Sequence, residues 1–188
     1  LSPFSFSLDD FTADFMTTGP TMGQPTSFRA DLTYRAAPGE PPRRKALQVN
    51  QPLDVDGTSV FLVGNGYAPV ITVRGGDGKV AYSGTTVFLP ENPSYASWGV
   101  VKVPDAGPSQ LGFEGQFLPT YATSKAKGPV SQFPGPLAPT LSLTAFAGDL
   151  GLGSGVPQSV YALDKSKLKR LRGADGKPLT LTIPMGSS

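Results

Sequence analysis

The sequence contains no cysteine and no histidine. Their absence excludes thiol nucleophiles, Ser/His/Asp triads, Cys/His zinc sites and His-ligated haem within these 188 residues. Methionine, tyrosine and the carboxylates are what remain as ligands, and a cysteine-free chain is compatible with an oxidising compartment. Charge is scarce as well. Charged residues make up 16% of the chain, below the roughly 25% of an average globular protein, and the net charge is only +2. So slight an excess does not make the concentrated basic face that a phosphate backbone requires, and nucleic acid is not implied. No apolar run approaches the roughly 20 residues of a membrane span, and no signal peptide opens the chain. Leu1 is not an initiator methionine, so the chain reads as an excised fragment.

What is abundant is glycine (23) and proline (20). That balance favours many short strands and turns over long surface helices. The expected fold is mainly β: an antiparallel sandwich or partly closed barrel, with long Pro/Gly-rich loops and at most one or two short helices. Residues 1–188 are read as a single domain, long enough to bury about 70% of the unfolded surface.

The organising stretch is Leu47 to Val73. It holds a turn at Asp56-Gly57 and two short β-branched runs, Val60 to Val63 and Val70 to Val73, which read as buried strands. Gly64-Asn65-Gly66-Tyr67-Ala68-Pro69 joins them. The two glycines there allow positive φ or a close backbone approach, and Pro69 drives Ala68 extended, so that Tyr67 is held in one direction. Upstream, Pro3 to Leu8 alternates like a half-buried strand. Asp9 to Met16 fits a capped helical turn or a continuing strand with Phe11 and Phe15 inward, the extended form being preferred. Phe28, Ala30, Leu32 and Tyr34 alternate with Arg29, Asp31, Thr33 and Arg35, the clearest period-2 pattern in the chain. The Pro-rich loop ending in Arg43-Arg44-Lys45 reads as a solvated hairpin connection, or else as a contact for an acidic partner or lipid headgroup.

Downstream, Arg74-Gly75-Gly76-Asp77-Gly78-Lys79 is a hairpin turn rather than a phosphate loop, because Lys79 leads into Val80-Ala81-Tyr82 and not into a helix. Thr86 to Leu89 is expected as a strand, Trp98 as a packing residue or else an exposed platform, and Gln110 to Thr120 as a strand with a bend or bulge at Gly112 and Gly115. Ser124 to Pro139 is the longest irregular stretch and the leading partner-facing arm. After the strand Thr140 to Phe146, the glycines of Gly148-Asp149-Leu150-Gly151 permit a tight bend in which Asp149 accepts backbone hydrogen bonds. One Asp there is too little for calcium. Val160 to Leu163 is expected as a strand, and Asp164 to Arg172 as a short helix capped by Asp164. Leu179, Leu181 and Ile183 mark a last strand. Internal repeats are not apparent.

Hydrolysis would have to rest on carboxylates alone, with Asp9/Asp10 or Glu114/Asp149 as the pairs to consider; surface groups and turn formers explain these residues better. A soluble carbohydrate-binding or glycosidase-like sandwich would need exposed Trp98 or Tyr67 beside such a pair. The basic run, with Lys167, Lys169 and Arg170 at its centre, is either a solvated face or a contact for anionic headgroups.

Several motifs recur in a known order: Phe6 and Phe11; Phe28; Asn50-Gln51-Pro52-Leu53; Gly64 to Pro69; Phe88-Leu89-Pro90. They continue with Gly112-Phe113, Phe117 to Thr120, Gly148 to Gly151 and Leu181 to Gly186. In this order they resemble the ResB-like family of System II cytochrome c biogenesis. Its motif residues here are Asn50, Pro52, Gly64, Gly66, Pro69, Gly148, Asp149 and Gly151, and Asn65 stands where many members carry His. The resemblance implies a single extracytoplasmic β domain, excised from a multi-pass protein at the outer face of the bacterial cytoplasmic membrane. It implies work with a ResC-like haem-handling subunit, apocytochrome c and a thioredoxin-like reductant. Haem belongs to the full complex: no haem ligand or catalytic residue carries over to this His-free chain. Tyr67, Asn65, Trp98, Lys167, Lys169 and Arg170 are the candidate docking residues.

Overall fold

The computed structural model describes residues 3–155 and 157–185; Gly186 of the closing motif lies outside them. The chain divides into two compact units, Leu1–Asn65 and Gly66–Ser188.

The first unit is a three-stranded antiparallel sheet of β1 (Ser5–Phe15), β2 (Pro25–Arg35) and β3 (Arg43–Gln48), with β2 central. A two-stranded ribbon, β4 (Leu53–Val55) and β5 (Thr58–Val60), follows. Ala30, Leu32, Leu47, Leu53 and Val55 form its core, joined by Phe4, Phe11, Tyr34, Val60 and Leu62. Entering and along β1 the apolar residues fall at 4, 6 and 8, then at 11, 13 and 15, so the alternation slips by one residue. A bulge absorbs the slip: Leu8 pairs with Leu32 and Asp10 with Asp31, leaving Asp9 unpaired in the ladder. Phe6, Leu8, Phe11 and Ala13 thereby stay on one face, opposite Tyr34, Leu32, Ala30 and Phe28. The displaced Asp9 carboxylate accepts hydrogen bonds from Thr33 Oγ1 (2.5 Å) and Ser7 Oγ (3.2 Å). The Asp56-Gly57 turn has both residues at positive φ (45° and 77°), as a two-residue hairpin turn requires.

The second unit opens with the hairpin of β6 (Val70–Arg74) and β7 (Val80–Thr85). Its main sheet has the order β14-β13-β10-β9-β8, built from β8 (Leu89–Pro90), β9 (Ser97–Val103), β10 (Gln110–Leu118), β13 (Thr140–Gly148) and β14 (Leu168–Arg170). β15 (Thr180–Pro184) also pairs with β13, and β11 (Tyr121–Ser124) with β12 (Gly128–Ser131) makes a separate ribbon. On one face of the sheet Val101, Val103, Phe113, Phe117, Leu141, Leu143 and Ala145 meet Phe88, while Ile71, Val73, Ala81 and Tyr82 of the hairpin cover them. The opposite face carries Val100 and Phe146 under Leu150 and Leu163. The mainly-β expectation therefore holds, in its sandwich-like form. No barrel closes, and one 3-10 turn, Leu152–Ser154, is the helical content among the described residues.

Three glycines let both faces close. A Cβ on Gly99 would lie 2.5 Å from the Phe88 ring, one on Gly112 2.8 Å from Leu163, and one on Gly115 2.1 Å from the Ser142 carbonyl oxygen. Gly115 does not bend β10, whose register runs unbroken on both sides; it admits the neighbouring backbone instead.

Other expectations are corrected. The run Val60 to Val63 is not a buried strand: β5 ends at Val60, and Phe61 and Val63 are 61% and 94% exposed. Thr86 to Leu89 is a strand only from Leu89, preceded by a single bridge between Phe88 and Tyr67. Part of Ser124 to Pro139 is ordered as β12. Val160 to Leu163 forms no strand, since Leu163 is drawn into the space above Gly112 rather than into a ladder.

The helix expected at 164–172 is absent. Asp164 makes a local turn to the Ser166 N–H (2.9 Å), and the open edge of β13 then takes up Leu168–Arg170 as strand, so tertiary pairing overrides local preference. β14 and β15 are in effect one edge strand. Arg170 stands opposite Phe146 and Thr180 opposite Thr144, so residues 171–179 leave the ladder between them. Ala145 holds both ends: Leu171 N–H donates to its carbonyl (2.8 Å) and its own N–H donates to Leu179 O (3.3 Å).

The extruded turn reveals a local repeat. Arg172-Gly173-Ala174-Asp175-Gly176-Lys177 reproduces Arg74 to Lys79 bond for bond. In each, the arginine donates to the carbonyl of the glycine after the aspartate, Gly78 or Gly176 (3.2 and 2.7 Å), and the aspartate accepts the lysine N–H (3.0 Å in both). Gly78 and Gly176 sit at φ 78° and 73°.

Gly115→Ala is expected to cost about 3 kcal/mol and to lower the melting temperature by roughly 10 °C. Gly64→Ala, at a position with nothing within 4 Å, serves as the silent control; calorimetry of both separates close approach from generic loss of glycine.

Candidate functional site

The best-built element among the predicted residues is Tyr67. Its backbone bridges to Phe88, whose N–H donates to the Tyr67 carbonyl at 3.0 Å. Its hydroxyl donates to the Pro134 carbonyl at 2.6 Å, and its ring sits 4.9 Å from Phe117 and edge-on to Tyr95 at 6.2 Å. Burial, with Tyr95 adding to it, pushes the hydroxyl up to about 12. It stays protonated at any physiological pH and serves as a donor, not as a base. The neighbouring glycines do not aim it: neither has positive φ, a Cβ on Gly64 would meet nothing, and one on Gly66 would make ordinary 3.6 Å contacts with Phe88 and Pro90. The ladder contact and the hydroxyl bond fix the ring, while buried Pro69 accepts the Thr86 N–H at 3.0 Å. Asn65 is half-buried and ends the first unit.

Trp98 is 37% exposed and lies opposite Leu89 and Gln116. By strand alternation it points away from Val101 and Val103, whereas Tyr67 packs on the side of those residues. The two aromatics are therefore not brought together, and they form no joint platform for a sugar ring. Two of the candidate carboxylates are also occupied. Glu114 pairs with Lys165 at 2.8 Å and Asp149 with Lys167 at 3.1 Å.

The other motif residues expected from the sequence make local structural contacts. Asn50, at φ 65°, turns the chain from β3 into β4, with the Gln51 N–H donating to Gln48 O at 3.0 Å, and Pro52 delivers Leu53 into the core. Gly148 allows β14 to approach, since a Cβ there would lie 2.3 Å from the Lys167 carbonyl. Asp149 accepts the Gly151 N–H (2.8 Å) as expected, and this bond, with Lys167, holds its carboxyl below the usual range. Gly151 takes positive φ (71°), and the Leu150 N–H donates to Gln110 Oε1 at 2.8 Å.

In the basic run, Lys165 and Arg170 lie over the Phe146 ring at 5.9 and 5.6 Å. Lys167 is spent on Asp149, and Lys169 stands on β14 opposite Ala147. Sequence reasoning missed the Pro134 acceptor, which no local signal marks, and the outward position of Phe61 and Val63.

The ResB-like family model matches residues 2–185. The chain belongs to the ResB-like family. Membership places it in the context of a membrane protein of cytochrome c biogenesis; among the described residues no helix is long and apolar enough to cross a membrane. No curated protein and no solved structure matches the chain.

For this ResB-like chain, Tyr67→Phe is expected to lower stability by about 1 kcal/mol through loss of one hydrogen bond, read by urea unfolding. Asp149→Asn tests the bend. Because the folded carboxyl is held low, its contribution is present above the ordinary carboxylate range and is lost as pH falls through its lowered value. The variant should therefore be less stable than the parent at pH 7, with the gap closing on acidification; a gap independent of pH would remove the carboxylate from the account.

Proposed function

We propose that this chain is the extracytoplasmic part of a multi-pass protein at the outer face of the bacterial cytoplasmic membrane. There it positions apocytochrome c or a ResC-like haem-handling subunit for covalent haem attachment, with a thioredoxin-like reductant supplying reduced apocytochrome thiols. Family membership over residues 2–185 carries the reading. Haem is handled by the full complex, and no bond-forming step is assigned to a side chain of this chain. Phe61 and Val63 support a docking role: they are presented to solvent just before the Gly64 to Pro69 motif. Burying an apolar side chain of this size against a partner contributes about 1.5–3 kcal/mol.

Titration of the chain with a CXXCH-containing apocytochrome peptide, and separately with the ResC-like subunit, should detect binding to at least one. Changing Phe61 and Val63 together to serine should weaken that binding about ten-fold or more, corresponding to at least ~1.4 kcal/mol, with little change in melting temperature. A folded chain that binds neither partner would overturn the proposal.

A further inference from the structure

We infer that the cleft beside β9 is a docking groove for one extended peptide strand carrying an acidic side chain. β9 runs from Ser97 to Val103, yet β8 pairs with it only at Leu89–Trp98 and Pro90–Ser97. Beyond Trp98 the outer edge of β9 has no strand partner among the described residues. A cleft of about 330 Å³ opens along that edge, between Val100, Val101 and Lys102 of β9, Tyr82 and Thr85 of β7 with Thr86 and Val87 after it, and Val160 and Tyr161. Val87, Val160 and Tyr161 are 49%, 68% and 45% exposed. An open strand edge asks for main-chain donors and acceptors, and apolar walls on both sides ask for alternate side chains, the two demands that strand addition meets.

Lys102 supplies the charge preference. Its ammonium donates to Gln158 Oε1 at 3.2 Å and to the Ser159 carbonyl at 3.0 Å. Both acceptors are neutral, and it forms no ion pair among the described residues; it acts on Asp164 only as a minor, longer-range influence. An ammonium has three protons to donate, so one remains for an incoming acceptor, and a cation held only by neutral acceptors favours an anionic one. A small anion with an apolar tail would satisfy Lys102 and the valines but would leave the β9 edge unpaired. The extended acidic peptide answers all three features. The groove does not depend on the haem-attachment reading.

The test uses the whole ¹⁵N-labelled chain and three probes: the peptides Ac-TVEVT-NH2 and Ac-TVQVT-NH2, and dodecanoate. The acidic peptide should shift the amide signals of residues 100–102 and 160–161, slow their hydrogen exchange, and bind at least five-fold tighter than its glutamine counterpart. Lys102→Met should abolish that preference while leaving the rest of the spectrum in place. Val160→Glu, at an exposed site, should weaken the acidic peptide by putting a competing carboxylate at the mouth. Shifts confined to other parts of the chain, equal binding of the two peptides, or binding of dodecanoate with neither peptide would each overturn the proposal, the last by reassigning the cleft to a small amphipathic anion.

Discussion

The second unit depends on the absence of side chains at a few points of one sheet. Gly99 and Gly115 stand opposite each other on β9 and β10, and the Phe88 ring fills the space above Gly99. From the other side Leu163 settles over Gly112. Phe88 is fully buried, and it is also the residue whose backbone receives Tyr67. A ring packed into a glycine gap thus determines where Tyr67 sits, and the tyrosine in turn ties down the segment around Pro134. Close packing leaves such contacts little room to adjust, so their geometry passes along the chain of contacts.

That dependence reinterprets the Gly64 to Pro69 motif. Read locally, its glycines are hinges that aim Tyr67. In the structure they are permissive, and the aim comes from Phe88, Phe117, Tyr95 and Pro134, which lie 21 to 67 positions further along the chain. The motifs containing Asn50 and Asp149 are, by contrast, local in origin: each makes a turn with the backbone near it. The contacts described for Asn50, Tyr67 and Asp149 all lie within the fold.

The fold class was legible because strand alternation is a two-residue signal that survives without tertiary information, as in Phe28 to Arg35. Even the bulge in β1 is written there, as two alternations offset by Asp9. What was not legible depends on distant chain. Leu168–Arg170 looks helical in isolation and becomes strand because β13 offers an unpaired edge. Val60 to Val63 looks like core but continues beyond the end of its ladder. The Lys102 cleft escaped for the same reason, since its walls come from β9, from β7 with the chain after it, and from the segment after the 3-10 turn.

The turn extruded between β14 and β15 has an evolutionary consequence. Leu171 and Leu179 are bonded to each other at 2.8 Å and both are anchored on Ala145, so the ladder closes beneath the excursion as though nothing had been inserted. Segments inserted or removed between those two leucines would leave the register of β13 untouched. This edge of the sheet is therefore a place where related chains can differ in length without differing in architecture, and where a new recognition loop could be acquired at little structural cost.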